Sequence, residues 1–161
     1  MNFKNLDDTG IFDDFLLQYG SHINLNVQLN GYSSNYKGNT GIFETLKNWN
    51  DPNYIYLDNT PYMNWVFAAF PLEIVRSVNC CKKCCFTKDE EFALIAHEIG
   101  HIDAVYRKLA LSKIDEELYA DAYAVNLGLA KDLKAALSKM ISANVNPPFN
   151  GEMNMRIQRL P

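Results

Sequence analysis

The chain has 161 residues, enough for one domain that buries a core. Hydrophobic residues make up 48% and aromatic residues 12%, which excludes a disordered tract, and a net charge of -4 offers nucleic acid no electrostatic footprint. No apolar run reaches the roughly 18 residues of a membrane span. The first ten residues are acidic where a signal peptide needs a basic region and an apolar core, so a cytoplasmic location is expected.

Ile11 to Tyr19 carries apolar residues at helical spacing, Ile11, Phe12, Phe15, Leu16 and Tyr19, with Gly20 as a stop. Ile23, Leu25, Val27 and Leu29 then alternate with polar residues, which predicts a half-buried strand closed by a turn at Asn30-Gly31. A polar loop is expected over 32–41, a short helix over 42–49 and a strand over 54–57. Asn64 to Phe70 and Leu72 to Val78 read as strands flanking Pro71, and a proline there favours an edge or a bulge. Such an edge can hold an extended peptide by strand addition.

Thr87-Lys-Asp-Glu90 is a capping box, and it launches a helix predicted to run to about Leu109. Ser112 to Asp115 starts a second helix that Gly128 ends, and Lys131 to Ser142 forms a third. Asn146-Pro147-Pro148 closes helical structure, leaving an irregular tail with one turn. The whole chain, 1–161, reads as a single domain. The fold class expected is α+β, with a small, mostly antiparallel sheet on the capped helix and a helical C-terminal half.

That capped helix contains His97-Glu98-Ile99-Gly100-His101, an H-E-x-x-H pattern. Residues four apart share a helix face, so His97 and His101 present two imidazoles to one metal ion. Glu98 stands between them, where a general base can reach a water on that ion. Two surface histidines on an ordinary helix give the same letters, but the second helix adds Glu117 and Asp121. Glu117 completes three ligands, and Asp121, one turn further on the same face, accepts a hydrogen bond from the free nitrogen of His97. The short link from Ala110 to Lys113 makes the two helices antiparallel neighbours. The expectation is one catalytic Zn2+ and hydrolysis of peptide bonds in a peptide or protein substrate.

The pairing of His97-Glu-Ile-Gly-His101 with Glu117-x-x-Ala120-Asp121 resembles the gluzincins, in particular the HtpX and CAAX-prenyl-protease peptidase family and the soluble minigluzincins. The resemblance implies a zincin-like fold, Glu117 as the third zinc ligand and Asp121 as support for the first histidine. It extends weakly to Asn64-Trp-Val-Phe-Ala-Ala-Phe-Pro71, to Asn146-Pro-Pro-Phe149 and to Arg156-Ile-Gln-Arg-Leu160. The family's membrane helices are absent, so prenylated substrates are not implied. Arg156 is a candidate for contact with substrate or the transition state; Tyr106, Tyr119 and Tyr123 are candidate oxyanion donors. His22 stays outside the site.

Cys80, Cys81, Cys84 and Cys85 are the chain's four cysteines, expected as reduced thiols. Three functional readings stand open: a second metal site, a redox switch favoured by Lys82 and Lys83, or a thiolate cap on the zinc. The plain reading is a hairpin between the edge strand and the zinc helix, with two thiols buried and two exposed. For the whole chain two alternatives accompany the peptidase. One is an ImmA/IrrE-like regulatory protease that cleaves a repressor; the other is a catalytically silent, metal-stabilised binding domain.

Overall fold

The structure is a computed structural model, and it describes residues 2–5, 10–26, 28–34, 67–70 and 73–161. Strand β1 (Asn2–Asn5) leads into helix α1 (Ile11–Tyr19), a 3-10 turn (Gly20–His22) and strand β2 (Gln28–Ser34). Strands β3 (Phe67–Phe70) and β4 (Glu73–Ser77) follow. From there on the chain holds helices and no strand: α2 (Val78–Cys84), α3 (Lys88–Tyr106), α4 (Lys113–Asn126), α5 (Ala130–Ser142) and α6 (Asn150–Arg159). The helix at 42–49 and the strand at 54–57 lie outside the described residues, as do 64–66.

The expected small, mostly antiparallel sheet is overturned, for the described residues are mainly helical. The strands among them run in the order β1-β2-β4-β3, and two of the three pairings are parallel. Only β3 against β4 is antiparallel, with Phe67 opposite Arg76. The reason is topological. Parallel neighbours need a crossover connection, and α1 lies in the one between β1 and β2. Alternation marks a strand but carries no information on its partner's direction.

The β2 register corrects a second expectation. Residues 23–26 are not in a strand; the strand begins at Gln28 and continues through Asn30-Gly31, where a turn was expected. Asn30 pairs with Glu73 and Gly31 with Ile74, so ladder pairing overrides turn propensity. Among the described residues β3 stands at one end of the strand order, and it lies against α3.

Helix α3 is central. The capping box forms as predicted: Thr87 Oγ1 accepts from the Glu90 amide at 3.2 Å, and the Thr87 amide donates to Glu90 Oε2 at 3.0 Å. Fourteen of its nineteen residues are buried, His97 among them, and His101 is part-buried, so neither stands on a fully hydrated surface. Phe12 and Phe15 of α1 pack with Phe92, Ile95 and Ile99 of α3 and Leu133 and Leu137 of α5 in one core. Lys139 of α5 reaches Glu90 at 2.7 Å and ties α5 to the start of α3. The tail differs from expectation, because Asn150–Arg159 is a helix. Its inward side comprises buried Met153 and Arg156 with part-buried Ile157, followed by buried Leu160 just past its end, and the arginine within that stripe disguised it.

Gly100 sets the distance between α3 and α4. A Cβ at this position would fall 2.7 Å from Ala120 Cα and 2.9 Å from Tyr123 Cβ. The nearer atom is backbone, so only separation of the helices relieves the clash. Gly100→Ala is therefore expected to destabilise, since overpacking costs about 1–3 kcal/mol. Helix propensity acts in the opposite direction by about 0.5–1 kcal/mol. A lower urea midpoint is the expected result; a raised midpoint would mean that propensity wins and the approach is not close.

Candidate metal centre

α3 and α4 lie against one another as antiparallel neighbours, and the N-cap of α4 is Ser112, whose hydroxyl accepts from the Asp115 amide at 3.2 Å. This packing brings three groups together. His97 Nε2 lies 3.0 Å from His101 Nε2 and 3.2 Å from Glu117 Oε2, and His101 Nε2 lies 3.5 Å from Glu117 Oε1. Ligands placed tetrahedrally at zinc bond lengths are about 3.3 Å apart. His97, His101 and Glu117 thus form a largely buried group that can hold a metal ion, the only such group among the described residues.

The back of each ring is held as well. His97 Nδ1 is 2.8 Å from Asp121 Oδ1, as the sequence predicted. His101 Nδ1 is 2.9 Å from Glu116 Oε1, a partner that the sequence reading missed. With Nδ1–H donating to a carboxylate, each Nε2 presents its lone pair to the shared centre. The donor chemistry fits a borderline metal such as zinc: two imidazoles and one carboxylate.

Electrostatics point the same way. Burial pulls the imidazole pKa values down, yet the carboxylates win. Glu116 and Glu117 hold His101 up to about 10, while Asp121 and Glu117 raise His97. Burial raises the Glu117 carboxyl, but hydrogen bonds from both imidazoles outweigh it and hold the group far below the usual carboxylate range. Carboxylates gathered around two imidazoles favour positive charge between them, which a divalent cation can supply. Glu98, 9% exposed, has its carboxyl pushed up by burial, against the pull of His97 and His101.

Arg156, the candidate for contact with substrate or the transition state, is 6% exposed and paired with carboxylates of the protein. Its Nε and one terminal nitrogen donate to the two oxygens of Asp121 at 2.8 and 2.7 Å, and the other terminal nitrogen lies 3.2 Å from Glu117 Oε2. Tyr119 donates its hydroxyl to buried Asp103, which also accepts from Arg107 at 2.8 Å. Tyr106 is half exposed near the end of α3. Tyr123 lines a pocket of about 580 Å³ with His22, Asn24, Arg107, Asn126, Leu127 and Gly128, a wall that contains none of the metal-holding groups.

The cysteines stand on α2 and its end, not on a hairpin, and all four are free thiols. Cys80, Cys81 and Cys84 are buried and Cys85 is exposed, in place of the expected two and two. Burial lifts the Cys84 thiol to about 11 and Cys81 higher still, so the lysines do not produce thiolates at these two positions. Among the described residues none of the four joins a group that could hold a metal.

Comparison with protein-family models, curated proteins and solved structures gives no match for this chain. No helix among the described residues is long and apolar enough to cross a membrane.

Proposed function

We propose that the chain is a zinc-dependent endopeptidase of the gluzincin type, acting on a peptide or an extended protein segment. The observation that carries the reading is the convergence of His97, His101 and Glu117, on two helices, with Glu98 buried directly after the first histidine. A purely structural metal site has no use for a carboxylate at that position.

Zinc held by two imidazoles and a carboxylate supplies a Lewis acid that polarises a carbonyl and acidifies water. The chain's own groups do the rest. Glu98, made more basic by burial, takes the proton of the attacking water and returns it to the leaving amine. Asp121 and Glu116 hold the imidazoles in one tautomer. Among the described residues β3, beside α3, pairs on one side alone, and an extended peptide can add to the other side as a further strand.

Digestion of a peptide library by zinc-loaded protein, beside its Glu98→Gln variant, tests the reading. Cleavage by the first and not by the second supports it. Cleavage by neither leaves a metal-stabilised binding domain.

A further inference from the structure

Glu116 falls outside every position that the H-E-x-x-H and E-x-x-A-D pattern marks, yet its carboxylate meets His101 Nδ1 at 2.9 Å. We infer that Glu116 is a positioning residue for the second imidazole of the centre, an inference that rests on the metal-centre reading above. Nδ1 and Nε2 lie on different edges of the ring. Nε2 faces Glu117, so Glu116 acts on the far side and does not compete for the ion. Two consecutive carboxylates of α4 therefore divide the work: Glu117 faces the shared centre, and Glu116 holds the ring that faces it.

The two histidines differ in how much packing fixes them. His97 has 7% of its side chain exposed, and its partner Asp121 is itself clamped by Arg156. His101 has 18% exposed and is not among the buried residues of α3, so its ring depends more on a hydrogen bond. Among the ion pairs of the described residues Glu116 meets His101 and no lysine or arginine, whereas Asp121 shares its charge with Arg156. Glu116 also sits in the first turn of α4, where its own amide donates to the Ser112 carbonyl at 2.9 Å, so the capped turn fixes it. A charged acceptor in that position orients the ring, selects the Nδ1–H tautomer and raises the basicity of Nε2.

Zinc affinity of the full chain, measured by competition with a chromophoric chelator, tests this. Glu116→Ala is expected to weaken zinc binding about 10–100-fold. Glu116→Gln, whose amide oxygen still accepts from Nδ1–H, is expected to restore most of that loss. The cobalt-substituted variants should keep the wild-type absorption bands, since the ligand count is unchanged, and the metal-free urea midpoints show that each variant folds. Affinity of Glu116→Ala within about twofold of wild type overturns the proposal. Altered cobalt bands in both variants overturn it too, because Glu116 would then be a ligand. A wild-type chain that binds neither zinc nor cobalt sinks the metal centre itself, and the proposal with it.

Discussion

Replacing Arg156 with alanine is expected to lower the unfolding free energy of the metal-free chain by about 3–5 kcal/mol, the cost of removing one partner from a buried ion pair. The side chains of Arg156 and Asp121 are 7% and 6% exposed, and the guanidinium meets both carboxylate oxygens in a bidentate fork. Without it Asp121 keeps only the His97 proton, and Glu117 loses the terminal nitrogen 3.2 Å from its Oε2. Urea titration measures the loss. A change below about 1 kcal/mol, the size seen for an exposed pair, would show that solvent reaches this cluster. Adding Asp121→Asn should restore part of the loss, because the asparagine oxygen still accepts from His97 and leaves no charge stranded.

Glu98→Gln is expected to slow peptide hydrolysis about 10²- to 10⁴-fold, the usual contribution of a general base. That corresponds to about 3–5 kcal/mol on the barrier. Zinc content should not change, because Glu98 is not one of the three groups that converge. Glutamine has nearly the same shape and removes only the ability to take a proton, so packing in this buried position is preserved. Single-turnover kinetics on a cleaved peptide, with zinc measured in the same sample, separates the two effects. A rate within about tenfold of wild type would remove Glu98 from the chemistry.

The group of His97, His101 and Glu117, which could hold a metal ion, was legible because its signal is local. Four-residue spacing within α3 and within α4 is imposed by helix geometry, and the two helices are joined by a short link. The caps at Thr87 and Ser112 were legible for the same reason: each closes within three residues. What failed depended on contacts between distant parts of the chain. The direction of β2 is set by pairing with β1 and β4, which alternation does not encode. Arg156 was singled out through the family resemblance alone; nothing in the sequence pointed to its carboxylate partners, buried Asp121 and part-buried Glu117, which are 35 and 39 positions earlier in the chain. Glu116 lay beside a residue already assigned, and only the rotation of α4 against α3 distinguishes it. Gly100 passed as an unspecified position in the motif, although Ala120 lies too close for any side chain there. At the cysteines, burial set the pKa of Cys81 and Cys84, and neighbouring lysines in sequence do not report burial.

Zinc content by elemental mass spectrometry, on protein purified without chelators and beside its His101→Ala variant, tests the central claim most directly. The expected result is about one zinc per wild-type chain, lost in the variant, as a three-ligand site requires. No zinc in the wild type, or the same amount in both proteins, would contradict a centre built on His97, His101 and Glu117.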